Sequence, residues 1–264
     1  MKRAVLKLLV LILLTANATN AEDLTDAPQT GFFALSFTPL ELLGSSSLED
    51  ASAVLDHDDE LSWQLFVPDD YDPVQPAGVV VYVSPTKKGG PPRAWSGVLG
   101  QGNLIWVGAN NSGNRVALSK RMLLAMLAPK IVAARYAVNV DRIYIAGFSG
   151  GGKTAGFVMA AKPDLFRGGI YIGGAEMWRT KEPPPLLDIV RQNHHVFLTG
   201  TEDFNEHLTR RVYAAYKSAG VENCELIVER RHGHQLPSIG AFSRAIEYLD
   251  SRSAVDIAQG AGTH

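Results

Sequence analysis

The chain carries a serine in a glycine-rich segment whose spacing is typical of two different kinds of chemistry. Residues 147–151 read Gly-Phe-Ser-Gly-Gly, the pattern G-x-S-x-G, in which a sharp turn between a strand and a helix exposes a nucleophilic serine, here Ser149. The longer segment Gly147–Thr154 also fits G-x-x-x-x-G-K-[ST], a loop whose backbone N–H groups hold phosphates. Both patterns require a strand followed by a helix, so local structure does not separate hydrolysis from nucleotide binding.

A nucleophilic serine needs a base and an acid, and the chain offers both after later strands. Asp203 follows the apolar run His195–Thr199, and His234 follows the next predicted strand. In this order the imidazole can take the serine proton, while the carboxylate holds the imidazole in the required tautomer. Two neighbours compete for these roles, Glu202 for the acid and His232 for the base.

Each motif has a second interpretation that the residues leave open. Asp203 with Glu206 also fits a capping box at the start of the following helix. A phosphate loop is normally completed by an acidic residue that ends an apolar strand and helps to hold Mg²⁺. The strand after the serine ends in Ile-Gly-Gly-Ala-Glu, a weak match. The serine interpretation is therefore favoured, and Lys153 becomes a polar residue in the first turn of a helix.

Strand and helix patterns alternate along the chain, which predicts an α/β fold with a mainly parallel central sheet and helices on both faces. Residues 41–60 are polar and acidic and are expected to form a surface excursion with room for one short helix. Leu118 is expected on the inner face of a long helix. Strands are predicted at 32–37, 61–67, 78–83, 103–108, 142–146, 169–172, 195–199 and 225–228. Helices are predicted at 116–136, 153–161, 208–219 and 239–249.

Three segments resemble secreted bacterial α/β-hydrolases, most nearly feruloyl-esterase-like and polyhydroxybutyrate-depolymerase-like esterases. They are Asp-Arg-Ile-Tyr-Ile-Ala-Gly-Phe-Ser-Gly-Gly-Gly at 141–152, Gly-Thr-Glu-Asp-Phe-Asn at 200–205 and Gly-His-Gln-Leu-Pro at 233–237. The resemblance extends over residues 61–249 and implies the α/β-hydrolase fold. It also implies an esterase with Ser149 as nucleophile, Asp203 as acid and His234 as base.

The chain departs from this pattern where the oxyanion hole is expected. Such esterases usually have His-Gly after the third strand, whereas this chain has Ser84-Pro85, and proline has no N–H to donate. The expected donors are therefore the backbone N–H groups of Gly150 and Thr86. Met177 and Trp178 follow the strand at 169–172 and are candidates for lining the pocket.

The first 21 residues are typical of a secretory signal peptide, with Lys2 and Arg3 before an apolar run and small residues after it. A membrane-anchoring N-terminus is the alternative. We expect a single domain at 22–251, a loose tail at 252–264, and a secreted or periplasmic protein without stable membrane insertion after signal removal. Three of the 25 basic residues lie in the leader, which leaves 22 against 27 acidic residues and no basic stretch for nucleic acid.

The sequence predicts neither a cofactor nor a metal. The pairs His232 with His234 and His194 with His195 lack a spacing such as H-E-x-x-H. Cys224 is the only cysteine, so no intramolecular disulfide forms, and it is expected to be a buried small hydrophobe.

The predicted function is cleavage of a carboxylic ester, small or polymer-bound, through an acyl-enzyme. The connections between the last strands are each long enough for one crossover helix, so no large cap domain is expected and the site should be open. A serine peptidase with the same three residues, and a nucleotide-binding protein using Gly147–Thr154, remain as alternatives.

Overall fold

The computed structural model describes residues 28–176 and 184–260, with the backbone alone for 251–260. The predicted signal peptide at 1–21 and the pocket candidates Met177 and Trp178 lie outside the described residues, so these three expectations stay predictions.

Within the described residues, eight strands form one sheet in the order β1-β2-β4-β3-β5-β6-β7-β8. Strand β2 is antiparallel to both of its neighbours, and every other pair is parallel. The predicted mainly parallel sheet is therefore confirmed. The strands are β1 Gly31–Phe37, β2 Leu61–Val67, β3 Ala77–Val83, β4 Leu104–Ala109, β5 Val138–Phe148, β6 Gly168–Ile172, β7 His194–Gly200 and β8 Cys224–Glu229.

Helices cover both faces of the sheet, as predicted. Along β3, Val79, Val81 and Val83 pack into one apolar core, and Val80 and Tyr82 pack into another on the opposite face. This alternation follows from the period of two in a strand, and it explains why the strand is apolar throughout. The helices are α1 Pro39–Ala51, α2 Ser96–Gln101, α3 Leu118–Ala133, α4 Gly150–Ala161, α5 Leu187–Gln192, α6 Glu206–Ser218 and α7 Ile239–Gly260.

The two cores divide the helices between the faces. The first core receives buried residues from α1, α3, α4, α5 and α6, and the second receives them from α2 and α7. The crossover between β7 and β8 consists of α6 with short connections on either side, which leaves no room for a cap domain at this point.

The polar segment after β1 forms the helix α1 with a break at Gly44, and it differs from the expected surface excursion in being partly buried. Thr38 and Glu41 cap its start reciprocally through a capping box. Leu42 and Leu48 are buried, so the helix packs against the protein and does not project into solvent. The expectation followed from the polar composition of the segment, whereas its few apolar residues decide where the helix packs.

Two helix ends also differ from expectation. Leu118 is the first residue of α3 and is 44% exposed, because the inner face of this helix begins further along the chain. Helix α7 was predicted to end at 249 and continues to Gly260, and the expectation of a loose tail at 252–264 stays a prediction. Residues 250–259 contain neither glycine nor proline, so nothing in their backbone preferences ends the helix earlier.

Candidate active site

Ser149 lies on the turn between β5 and α4 with φ 55° and ψ −121°, a backbone conformation that side-chain-bearing residues adopt at a cost of about 1–3 kcal/mol. Its N–H donates to the carbonyl oxygen of Ile172, 2.8 Å away, which ties the turn to the end of β6. A strained turn of this kind points the hydroxyl away from the sheet edge, as the G-x-S-x-G pattern predicts.

Glycine is required on both sides of the serine because neighbouring backbone approaches the turn closely. A Cβ at Gly147 would collide with the backbone of Gly151, and a Cβ at Gly151 would collide with the carbonyl oxygen of Val83. A Cβ at Gly152 would likewise collide with the carbonyl oxygen of Gly174. These close approaches leave no space for side chains on the inner side of the turn.

The structure brings the three predicted side chains together. His234 Nε2 lies 2.9 Å from Ser149 Oγ, and His234 Nδ1 lies 2.9 Å from Asp203 Oδ1. A carboxylate accepts hydrogen bonds, so Nδ1 carries the proton and Nε2 accepts from the serine hydroxyl. In this tautomer the imidazole is ready to remove the hydroxyl proton.

The carboxylate of Asp203 is buried and serves the histidine instead of capping a helix. Its Oδ1 also accepts the N–H of Asn205, 2.7 Å away. Helix α6 begins at Glu206 without a side-chain cap, and the Glu206 carboxylate bonds Arg210 at 3.0 Å. The capping-box alternative is therefore wrong, since its two reciprocal bonds are replaced by others.

The two competitors named from the sequence bond elsewhere. The side chain of Glu202 is exposed, and its N–H donates to the carbonyl oxygen of His232. The His232 ring lies 3.1 Å from the carbonyl oxygen of Leu236 through Nε2, within its own loop. His234 is thus the base candidate that reaches Ser149, and Asp203 is the acid candidate that reaches His234.

Gly173 leaves the space that the Asp203 carboxylate occupies, a role that was not predicted from the sequence. It has φ +53°, and a Cβ there would lie 2.8 Å from Asp203 Oδ2 and 3.0 Å from the Phe148 ring. Its carbonyl oxygen accepts the side-chain amide of Asn205 at 2.9 Å. The available signal was a Gly-Gly pair directly after a predicted strand, at the edge where the site was expected.

The two expected oxyanion donors differ in their surroundings. Gly150 is the first residue of α4, and the first N–H groups of a helix have no partner within the helix. The Thr86 N–H, in contrast, donates to Ser84 Oγ at 3.1 Å, and the two hydroxyl oxygens are also 3.1 Å apart. Thr86 therefore has a partner inside its own loop, which differs from the expected free donor.

Two aromatic rings flank the imidazole. The Phe148 ring lies 4.9 Å from the His234 ring, and the Phe204 ring lies 4.0 Å from it. Phe204 is 76% exposed, which is unusual for a large apolar side chain without a function at the surface. It forms an apolar wall beside the histidine that is open to solvent.

Other candidate chemistry lies away from this site. The Cys224 thiol is buried and donates to the carbonyl oxygen of Val221, and burial raises its pKa to about 11. A thiol with so high a pKa is a poor nucleophile. In the part of the chain that the structure describes, no group of three His, Cys, Asp or Glu residues is arranged to hold a metal ion.

No protein-family model and no curated protein matches the chain, whereas many solved structures do. Est1E from Butyrivibrio proteoclasticus is 14% identical with a TM-score of 0.57, over 76% of this chain and 98% of that one. S-formylglutathione hydrolase from Staphylococcus aureus is 12% identical with a TM-score of 0.55, over 86% and 98%. A putative dipeptidyl aminopeptidase IV from Bacteroides ovatus is 18% identical with a TM-score of 0.54, over 90% and 38%.

These similarities, with the strand order and the turn at Ser149, define the α/β-hydrolase fold. The resemblance to esterases expected from the sequence is found at the level of the fold, at identities of 12–14% for the two hydrolases.

Proposed function

We propose that this protein is a serine hydrolase that cleaves carboxylic esters through an acyl-enzyme. One observation carries the proposal: His234 lies 2.9 Å from both Ser149 Oγ and Asp203 Oδ1, in the order that serine activation requires. The similarity to structures named as esterases supports the reaction class, because the same fold serves ester hydrolysis there.

The geometry suits a two-step reaction. Ser149 Oγ attacks the ester carbonyl carbon while His234 Nε2 takes its proton, and the carbonyl oxygen becomes an oxyanion near the Gly150 N–H. The alcohol leaves with the proton that His234 returns. Water, deprotonated by the same imidazole, then attacks the acyl-serine and releases the acid. Asp203 stabilises the imidazolium in both steps.

The surroundings of the histidine favour an ester with an apolar part. Phe204 offers an exposed ring next to His234, and the crossover that carries Asp203 has no inserted cap over it. An open site with an apolar wall fits bulky or polymer-bound esters as well as small ones. Est1E, one of the similar structures, is known with ferulic acid bound, so esters of aromatic acids belong in the first screen.

A serine peptidase is the second candidate. Two structures named as dipeptidyl peptidases are similar to this chain, each 18% identical, and the chain spans 38% and 34% of them. The same three residues would serve amide cleavage. Aminoacyl p-nitroanilides tested beside p-nitrophenyl esters separate the two candidates, and we expect turnover of the esters alone.

Labelling tests the serine mechanism directly. A fluorophosphonate probe should modify Ser149, and Ser149→Ala should lose labelling together with about 10⁴–10⁶-fold of ester turnover while keeping its fold. Stabilisation by ATP without labelling would instead support the nucleotide-binding alternative at Gly147–Thr154. Normal turnover in purified Ser149→Ala would end the proposal.

We further propose that the chain is exported, on the strength of the basic, apolar and small-residue order in residues 1–21. Within the described residues, none of the helices has the length and apolar composition needed to cross a bilayer. Mass spectrometry of the protein recovered outside the cytoplasm should give an N-terminus near Thr19 or Glu22. An intact Met1 on a membrane-bound product would favour an anchor.

A further inference from the structure

The proposed ester hydrolysis needs at least two donors for the oxyanion, and the loop after β3 provides no free one at the expected place. Pro85 has no N–H, and the Thr86 N–H is held by Ser84 Oγ at 3.1 Å. Ser84 is itself 3% exposed, so this turn is fixed from inside the protein. With the Gly150 N–H as the only donor, the oxyanion would lack a second hydrogen bond, and turnover would be about 10²–10³-fold lower.

A side-chain amide lies near the position where the second oxyanion donor is expected. Asn114, in the connection between β4 and α3, lies against the Cα of Gly150, so that a Cβ built on Gly150 would be 2.9 Å from Asn114 Nδ2 and would collide with Asn114 Oδ1. The Asn114 side chain is exposed. Within the described residues, its amide makes no hydrogen bond. An exposed amide with open donors thus lies beside the residue whose N–H faces the oxyanion.

The backbone of this connection is held firmly against the loop after β3. The Asn114 N–H donates to the carbonyl oxygen of Pro85 at 3.0 Å. The neighbouring Gly113 has no space for a side chain, because its Cβ would lie 2.9 Å from the Thr86 backbone. The position of Asn114 relative to Gly150 is therefore set by main-chain contacts and does not depend on the side chain itself.

Arg121 joins the three segments that meet here. It is 6% exposed and donates to the carbonyl oxygens of Ser84 at 3.0 Å, Ser112 at 2.9 Å and Gly150 at 3.4 Å. Its partners are carbonyl oxygens from the loop after β3, the connection that carries Asn114, and the first turn of α4. A buried guanidinium bonded in this way holds the surroundings of the oxyanion in one arrangement.

We propose that the side-chain NH₂ of Asn114 is the second oxyanion donor, acting with the Gly150 N–H on the ester carbonyl oxygen. This inference rests on the proposed ester hydrolysis and deepens it. Rotation of the amide about χ2 turns the NH₂ toward an oxygen held by Gly150. The bond strengthens as charge develops on that oxygen, so it lowers the barrier more than it strengthens substrate binding.

The test uses substitutions that keep the size of the side chain. Asn114→Leu retains the packing against Gly150 without a donor, and Asn114→Asp keeps the shape and adds a charge that repels the oxyanion. Arg115→Ala, at the exposed neighbouring position in the same connection, is the matched control. We expect Asn114→Leu to lower kcat for a p-nitrophenyl ester about 10²-fold or more with KM nearly unchanged, and Asn114→Asp to lower it further. Arg115→Ala should keep wild-type values.

An inhibitor that mimics the tetrahedral state separates a donor from a packing residue. An alkyl trifluoromethyl ketone adds to Ser149 and forms an oxyanion, so its affinity should fall in Asn114→Leu by the same factor as kcat. The thermal midpoint of unfolding should stay near that of the wild type, since the side chain is exposed. Wild-type kcat and ketone affinity in Asn114→Leu would overturn the inference while leaving ester hydrolysis standing. A wild-type protein that neither hydrolyses esters nor binds the ketone would instead contradict the proposed function.

Discussion

Asp203 Oδ1 and His234 Nδ1 are 2.9 Å apart, although the two residues belong to loops that follow different strands. Strands β7 and β8 are parallel neighbours, so their carboxyl ends meet at one edge of the sheet and their loops lie side by side. The contact is thus a consequence of the topology, and it makes the tautomer of the imidazole depend on the carboxylate.

Substitution of this carboxylate gives the first prediction. Asp203→Asn should lower ester turnover by about 10⁴-fold, because the amide can hold the ring in the wrong tautomer and does not stabilise the imidazolium. Glu202→Gln, the same chemical change one residue earlier, is the control and should have a mild effect. A fully active Asp203→Asn enzyme, measured as kcat on a p-nitrophenyl ester, would remove Asp203 from the mechanism.

The backbone of Ser149 gives a prediction about stability. Ser149→Gly and Ser149→Ala both remove the hydroxyl, but only glycine adopts φ 55° and ψ −121° without steric strain. We expect the glycine variant to have a free energy of unfolding about 1 kcal/mol above that of the alanine variant, after the greater entropy loss of glycine is included. Urea denaturation of the two inactive proteins measures this difference. An alanine variant as stable as the glycine one would mean that the turn holds no strain.

A buried histidine away from the site predicts how stability depends on pH. His195 is fully buried; its Nε2 lies 2.9 Å from the carbonyl oxygen of Val190, and its Nδ1 lies 3.0 Å from the Tyr171 hydroxyl. The carbonyl only accepts, so Nε2 carries the proton and Nδ1 accepts from the tyrosine. Burial lowers the pKa of His195 from 6.5 to about 4.

The unfolded chain therefore binds a proton on this histidine at a higher pH than the folded protein does. The contribution of His195 to stability is intact above pH 6.5 and is lost as the pH falls toward 4, by up to about 3 kcal/mol. In His195→Gln, the free energy of unfolding should fall less between these two pH values, although the variant is less stable at pH 7. Equal slopes for both proteins in urea titrations would show that His195 does not cause the acid sensitivity.

The exposed aromatic ring beside the base gives a prediction about substrates. Phe204→Ala should raise KM for long-chain or aromatic p-nitrophenyl esters several-fold and change KM for the acetate little, because the ring offers apolar contact to large groups only. Phe204→Leu keeps part of the apolar area, so its KM for the large esters should lie between those of the wild type and Phe204→Ala. If kcat fell equally for every ester while KM stayed constant, Phe204 would position His234 and would not contact the substrate.

The sheet and the three candidate site residues could be predicted from the sequence. The sheet follows from the periodicity of apolar residues, and the site residues follow from the order of the strands along the chain. A run such as Gly-Val-Val-Val-Tyr-Val at 78–83 is apolar on both faces, and its β-branched residues favour a strand covered on both sides. Once the strands are parallel, residues after successive strands must meet at one edge. Asp203 and His234 could therefore be paired with Ser149 without knowledge of any contact.

The rest depends on contacts that a sequence pattern does not encode. The short helix α2 contains two glycines and has weak helical preference, so it was missed. The Thr86 N–H turned inward because a hydroxyl two residues earlier is close enough to accept it, which is a matter of loop geometry. Asn114 stands in a connection rich in asparagine and glycine, which is typical of a turn, and its position against Gly150 emerges only when three segments converge on Arg121.

The place of β8 in the sheet has a consequence for how the protein loses its activity. This strand pairs with β7 on one side and lies at an edge of the sheet, and the loop that follows it carries His234. Edge elements open at lower free energy than central strands, so the histidine can separate from Ser149 before the central strands come apart. Loss of turnover therefore reports this local opening. On gradual heating, turnover should disappear several degrees before the far-ultraviolet circular dichroism signal does.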